Sequence, residues 1–217
     1  MRVEEPQIKE KGEFPALEKL TKDKEVLGFF VSQNPLEPYR EILPLIATHE
    51  ISELASEDED SYVRVAGIMV NISRKISKKG DAYARFFLED DSGRIEMLLF
   101  PAAYRQNLER LRPDQTAVIE GVFDMRDENP KISVRRISII PAKLKELHVR
   151  IPGERQDGNS KNKLLALLSK YQGELAVFLH LSGRKPLLLN DEFKVAPNLE
   201  LKREFAALYG KNNLWFQ

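Results

Sequence analysis

Apolar and polar residues alternate in five stretches in the middle of the chain, and each stretch predicts a β-strand. In chain order the predicted strands are residues 62–72, 83–88, 95–100, 116–123 and 131–139. A basic loop at 73–80 separates the first two strands, and the turn residues at 90–93 separate the second from the third. A short helical segment follows the third strand. This order of strands, helix and strands is typical of a small closed barrel.

A five-stranded barrel with this order is an OB fold, in which the face of strands 2 and 3 and two loops bind oligonucleotides. The predicted fold class is mainly β plus α+β, with the barrel preceded by short helices and followed by a small α+β domain. The predicted domains are a helical lead-in ending in an acidic linker at 1–61, the OB fold at 62–140 and the C-terminal domain at 141–217.

The regions on either side of the barrel have weaker patterns. Before it, the spacing of apolar residues predicts a helix over 15–32, ended by Pro35, and a second helix over 37–46. After it, the predicted elements are strands at 147–151, 174–181, 185–189 and 214–216 and helices at 160–171 and 198–209. Asn198 is the expected N-cap of the last helix, and Gly210 its C-cap.

The second strand of the barrel carries the main candidate site. Successive side chains of a strand face opposite sides. The apolar set Ala84, Phe86 and Leu88 suits the barrel interior, which leaves Tyr83, Arg85 and Phe87 facing outward. An outward row of aromatic, guanidinium and aromatic groups favours stacking of unpaired bases. The alternative is that these aromatics only cover the barrel beneath a neighbouring domain.

Basic residues near that strand are the candidates for phosphate contacts. They are Arg74, Lys75, Lys78 and Lys79 in the predicted loop and Arg94 after the turn. Such residues would give a salt-dependent affinity that tolerates any base sequence. A charged hairpin loop can also be merely solvated. In the fifth strand, Arg135 and Arg136 are adjacent, so we expect only one of them to face a ligand.

Composition limits the chemistry that the chain can perform. The net charge is zero, but residues 1–61 carry a balance of −8, against +3 for 62–140 and +5 for 141–217. The chain has no cysteine, which excludes disulfides and thiol catalysis and fits a reducing cytoplasm. Its three histidines are widely separated, and no phosphate-binding glycine motif is present. We therefore expect no catalytic site, no metal, no cofactor and no membrane segment. The acidic run at 57–60 is expected to be solvated.

Two stretches resemble the C-terminal region of the alpha subunit of bacterial DNA polymerase III. The first is KEVLGFFVSQNPLEPY at 24–39, and the second is KKG at 78–80 followed by FLEDDSGRIEMLLF at 87–100. The resemblance covers 15–140, and 141–217 match only by position and pattern. The chain departs from the family pattern at Asn34, Arg85 and Asp91, where histidine, an apolar residue and a basic residue are common.

The resemblance implies a non-catalytic part of a replicative polymerase, in which 1–61 continue from the preceding polymerase domain. The OB fold would hold single-stranded template DNA by stacking and phosphate contacts. The C-terminal domain would dock the tau subunit of the clamp loader; the alternative is that it simply packs on the barrel. We expect a cytoplasmic monomer that acts at the replication fork. Two alternatives remain: an OB fold that binds another protein and no nucleic acid, and an OB fold that binds RNA.

Overall fold

The computed structural model describes residues 34–126, 129–153 and 158–217. The predicted helix at 15–32 lies outside these ranges. The strands are β1 Tyr62–Ile76, β2 Ala82–Glu89, β3 Arg94–Leu99, β4 Thr116–Asp124, β5 Lys131–Ile139, β6 Glu146–Arg150, β7 Gln172–His180, β8 Leu187–Leu188 and β9 Leu214–Phe216. The α-helices are α1 Leu43–Ile46, α2 Pro101–Asn107, α3 Gly158–Lys170 and α4 Leu199–Tyr209, with short 3-10 turns at Glu37–Tyr39, Ile51–Ser56, Leu108–Arg110, Asp191–Phe193 and Lys211–Asn213.

Strands β1 to β5 close into the predicted barrel, in the order β1-β2-β3-β5-β4. Strand β1 is longer than predicted, because it continues to Ile76 and pairs with β2 up to Ala82. The register shifts by one residue between Val70 and Ser73, where Asn71 adopts a left-handed φ of 54°. The prediction of a loop over 73–80 is therefore wrong for its first half, since a β-bulge lets the strand continue.

The C-terminal part forms a second, four-stranded sheet in the order β8-β7-β6-β9. Strands β6 and β7 are parallel, and α3 makes the connection between them. The strand predicted at 185–189 is shorter in the structure, where only Leu187–Leu188 pair, because Pro186 has no amide to donate to the sheet. The caps of α4 are confirmed: Asn198 accepts a hydrogen bond of 2.7 Å from the Glu200 amide, and Gly210 follows the helix at a φ of 89°.

The helix predicted over 37–46 is broken into two short pieces. A 3-10 turn occupies Glu37–Tyr39, and α1 begins only at Leu43. Each piece has a proline in its first turn, where the missing amide hydrogen costs nothing. Inside a helix over 37–46, Pro44 would remove a backbone hydrogen bond, which explains the break.

One apolar cluster joins the N-terminal turns, the outside of the barrel and the C-terminal sheet. It includes Leu36 from the first, Ala66 and Val70 from β1, and Leu147 and Phe216 from the sheet. The outer surface of the barrel is thus buried in the middle of β1, at Ala66, Ile68 and Val70, and at Val118 of β4. Strands β2, β3 and β5 and both ends of β1 keep exposed outer residues. Any ligand of the barrel must use that remaining surface. In the described ranges, no helix has the length and apolarity needed to cross a membrane.

Candidate nucleic-acid interface

The alternation predicted for β2 is confirmed. Ala84, Phe86 and Leu88 are fully buried inside the barrel, at 0% exposure. On the outer side Arg85 is exposed, and Tyr83 and Phe87 are half-buried. The register places Ser73 of β1 and Leu98 of β3 on either side of Arg85. The outward row of β2 therefore lies in the middle of a three-stranded surface.

Two arginines of this surface have partners on the protein itself. Arg85 donates from Nε and Nη2 to Oε1 of Glu96, which lies on the same face of β3. The guanidinium carbon of Arg94 lies 3.8 Å from the centroid of the Phe87 ring, and Arg94 Nε lies 3.4 Å from Glu89 Oε1. One face of the Phe87 ring is thus already covered by a cation, and the ring also packs against the shared apolar cluster. A base could stack on Phe87 only after Arg94 moved.

The structure separates the basic residues that sequence grouped into one loop. Lys75 lies on β1 opposite Tyr83 and shares its face. Lys78 and Lys79 are exposed at the hairpin tip, where Gly80 takes a left-handed φ of 86°. Arg74 is directed elsewhere, since its Nη2 donates a hydrogen bond of 3.2 Å to the Leu111 carbonyl beyond α2.

Phe100 is a residue of this surface that the sequence analysis did not identify. Its side chain is 52% exposed directly after β3. Ala84 and Leu99 are the last pair of the β2–β3 ladder, so the next position is Tyr83 on the β2 side and Phe100 on the β3 side. The burial of Ile95, Met97 and Leu99 gives the signal that could have found it, because strict alternation leaves Glu96, Leu98 and Phe100 outside. We refer to Lys75, Tyr83, Arg85, Leu98 and Phe100 together as the barrel platform.

Strand β5 contributes two arginines instead of one. A second β-bulge shifts its pairing with β4 between Glu120 and Gly121. Val134 and Ile137, three residues apart, both enter the barrel core, and both Arg135 and Arg136 are exposed. The expectation that only one of them faces outward is wrong, because it assumed a regular strand.

The acidic run before β1 is partly held against the protein, so the expectation of a purely solvated run is wrong for Glu57. This carboxylate lies 2.9 Å from Nε2 of the buried His49 and also pairs with Lys211. Burial lowers the pKa of His49, and the Glu57 hydrogen bond only partly opposes that effect. Glu57 itself has a lowered pKa, because the partial burial that would raise it is outweighed by Lys211 and His49.

Two of the three histidines meet in the fold although they are far apart in sequence. Parallel pairing of β6 and β7 brings His148 Nδ1 to 2.9 Å from His180 Nε2, and His148 Nε2 lies 3.1 Å from Glu146 Oε2. Burial lowers the pKa of both histidines. Across the part of the chain that the structure describes, no group of three or more histidine, aspartate or glutamate side chains could hold a metal ion.

Comparison with known proteins agrees with this geometry. Residues 63–140 match the family model described as "OB-fold nucleic acid binding domain". A DNA polymerase III subunit alpha from Aquifex aeolicus is 34% identical over 58% of this chain. The chain resembles part of the alpha subunit of bacterial DNA polymerase III. Alpha subunits from Saccharopolyspora erythraea and Halalkalibacterium halodurans are 25% and 26% identical over 91% and 99% of the chain.

The extent of these matches matters for function. The chain spans only 11%, 18% and 20% of the length of the three alpha subunits. The similarity to the alpha subunit reaches beyond the barrel into the C-terminal sheet, whereas the family model ends at residue 140. The barrel is therefore the part of this chain that matches a family described by nucleic-acid binding.

Proposed function

We propose that this chain is a non-catalytic part of a bacterial replicative DNA polymerase alpha subunit, and that its barrel holds single-stranded template DNA. The observation that carries the proposal is the barrel platform. It combines an exposed Phe100 and a half-buried Tyr83 with the cations of Lys75 and Arg85 on one face. Aromatic rings and cations side by side are what single-stranded nucleic acid binds without sequence preference.

We assign different roles to the candidate residues. Tyr83 and Phe100 stack bases, while Lys75 and Arg85, with Lys78 and Lys79 at the hairpin tip, contact phosphates. Arg94 and Phe87 act as a pair at the far end of β2, with Arg94 available to a phosphate while it covers the ring. Arg74 is the weakest member of the set, since its guanidinium already bonds the Leu111 carbonyl.

Fluorescence anisotropy of a labelled oligo-dT strand, titrated with this chain at low and moderate salt, tests the proposal. We expect salt-sensitive binding that the double substitution Tyr83→Ala with Phe100→Ala weakens. Stacking contributes about 1–3 kcal/mol per base, so losing two stacking rings weakens binding by about 2–6 kcal/mol, which is roughly 30-fold or more. Lys163→Gln on the exposed side of α3 serves as a control that should bind as the parent chain does. An absence of binding even at low salt would refute the proposal for this chain.

A protein-binding barrel is the alternative that one observation favours. Glu96 neutralises Arg85, so the centre of the platform carries less positive charge than its sequence indicates. A protein ligand would show a shallow salt dependence, whereas phosphate contacts predict a slope of about −0.7 per contact for a single strand. An RNA-binding barrel would prefer oligo-U over oligo-dT, because contacts to the 2′-hydroxyl distinguish RNA from DNA.

For the C-terminal domain, at 141–217, we propose docking of the tau subunit of the clamp loader. Support comes from the short edge strand β8, where Leu187 and Leu188 are more than half exposed. Exposed apolar groups at the edge of a sheet suit a protein partner. Leu187→Lys with Leu188→Lys should abolish capture of this chain by purified tau while leaving oligo-dT binding intact; unchanged capture would contradict the docking role. The proposed location is the cytoplasm, at the replication fork.

A further inference from the structure

A second group of cations lies on the outer surface where the barrel meets the C-terminal sheet. Arg136 of β5 pairs in register with Glu120 of β4, and Glu120 pairs with Arg64 of β1. Glu120 is already engaged, because Arg64 Nη1 and the Tyr62 hydroxyl donate to its two oxygens over 3.0 and 2.9 Å. The carboxylate that faces Arg136 across the strands is therefore already bound by Arg64 and Tyr62.

The outer face of the C-terminal sheet continues this group. Arg150, at the end of β6, is exposed, and its guanidinium carbon lies 5.4 Å from the centroid of the Trp215 ring. The guanidinium carbon of Arg64 lies 5.7 Å from the same ring. Trp215 stacks on His148 at 5.2 Å with an angle of 5° between the rings. The two sheets thus meet through rings and guanidinium groups, and we refer to Tyr62, Arg64, Arg136, Arg150 and Trp215 as the junction cluster.

Positive charge at the junction cluster exceeds its local compensation. Burial is the main cause of the lowered pKa of His148, and the positive charges of Arg64 and Arg136 lower that pKa further, which shows that both arginines lie near the ring. Glu146 lies 3.1 Å from His148, and Glu120 and Glu146 together carry two negative charges against the three positive charges of Arg64, Arg136 and Arg150. Within the described ranges, neither Arg136 nor Arg150 has a carboxylate at ion-pairing distance, and neither does Arg135 beside them. A polyanion is the class of ligand that such a surface attracts.

The junction cluster is connected to the barrel platform by one continuous row of outward residues. In register from strand to strand, the row runs Arg85, Leu98, Ser133, Val122 and Tyr62. Neighbouring strands are about 4.8 Å apart, so the row covers on the order of 20 Å around the barrel. The bulge in β5 places Arg135 and Arg136 next to this row. A strand of nucleic acid leaving the platform across β3 and β5 would meet the junction cluster.

We propose that single-stranded nucleic acid bound on the barrel platform continues across β5 to the junction cluster, where Arg136 and Arg150 bind its phosphates. This inference rests on the proposed function and extends it from the barrel to a composite surface shared with the C-terminal sheet. Bases do not stack on Trp215, because His148 covers one side of the ring and the arginines lie over it as well. The cluster contributes phosphate contacts and lengthens the site.

Trp215 makes the proposal directly testable, because it is the only tryptophan of the chain. OB folds occupy about 4 to 16 nucleotides, so the probes are oligo-dT strands at the two ends of that range. We expect the long strand to change Trp215 fluorescence, since Arg150 shifts from the ring to a phosphate, and the short strand to leave it unchanged. The double substitution Arg136→Gln with Arg150→Gln should weaken only the long strand and reduce its salt slope by about 1.4.

A matched control variant and the pattern of binding results distinguish a failure of this inference from a failure of the proposed function. Lys161→Gln with Lys163→Gln removes the same charge from α3 and should leave the affinity for the long strand as in the parent chain. If the platform substitutions weaken binding but the arginine pair can be replaced without changing affinity or slope, the junction role is refuted and the platform stands. If the parent chain binds neither strand, the proposed function itself fails. A change in Trp215 fluorescence that the arginine substitutions leave intact also overturns the inference.

Discussion

The ion pair between Arg85 and Glu96 makes a sharp prediction about affinity for single-stranded DNA. Both nitrogens of Arg85 that face β3 donate to one oxygen of Glu96. Replacing Glu96 by Gln removes a negative charge from the centre of the barrel platform and leaves Arg85 free to pair with a phosphate. We therefore expect Glu96→Gln to bind oligo-dT more tightly than the parent chain.

The magnitude follows from Coulomb's law. A phosphate held by Arg85 would lie on the order of 6 Å from the Glu96 carboxylate, a repulsion of about 0.7 kcal/mol in bulk water and about 2.8 kcal/mol at an effective dielectric constant of 20. The Arg85 side chain is 48% exposed, which favours the lower part of this range. A gain of about 1 kcal/mol corresponds to roughly fivefold tighter binding. The released Arg85 adds up to about 0.7 to the salt slope.

Anisotropy titrations across a series of salt concentrations measure both quantities. Glu200→Gln is the matched control, because Glu200 pairs with Arg203 on the exposed side of α4 at 2.6 Å and loses the same charge on substitution. The thermal midpoint checks that the fold is unchanged, since surface ion pairs contribute about 0–1 kcal/mol. Affinity equal to or weaker than that of the parent chain, with an intact fold, would refute the assignment of Arg85 to phosphate binding.

Three further predictions concern stability. Glu120→Ala leaves Arg64 buried without its carboxylate and should cost about 3–5 kcal/mol in urea unfolding; a loss below 1 kcal/mol would contradict this. The three histidines have lowered pKa values, mainly through burial, so the unfolded chain binds protons that the folded chain does not. The free energy of unfolding should therefore fall as pH drops below about 6.5, by up to about 1.4 kcal/mol per pH unit for each histidine. His49→Gln should flatten this pH profile, and a flat profile in the parent chain would refute the prediction. Asn198→Ala removes the N-cap of α4 and should lower the free energy of unfolding by about 1 kcal/mol, measured from the urea midpoint. The control is Asn159→Ala, at an exposed position near the start of α3, which should leave the midpoint unchanged.

Much of the fold could be predicted because its signals are local. Alternation of apolar residues identified all five barrel strands, and the caps of α4 were visible in Asn198 and Gly210. The misses lie where a strand or helix is irregular. Bulges at Asn71 and between Glu120 and Gly121 shift the outward face, and no short-range pattern announced them.

The candidate site was predicted in part. The outward direction of Tyr83, Arg85 and Phe87 followed from the period of the strand. Which of these groups is available to a ligand did not follow, because that depends on Glu96 and Arg94 across the sheet. Phe100 was not predicted, although the alternation of β3 already placed it on the outer face; its position near Tyr83 depends on the pairing of β2 with β3.

The sequence by itself determined the order of the strands along the chain, the residues of the barrel interior and the basic, aromatic character of the outer surface. Only the tertiary structure decided which part of that surface stays open. Packing of the C-terminal sheet and the N-terminal turns buries the outside of the middle of β1 and leaves that of β2 and β3 accessible. The same packing brings Arg136 near His148 and Arg150 near Trp215, two rings that stack on each other. The physical reason is that strand periodicity is set between neighbouring residues, whereas burial and charge pairing depend on groups that the chain brings together from far apart.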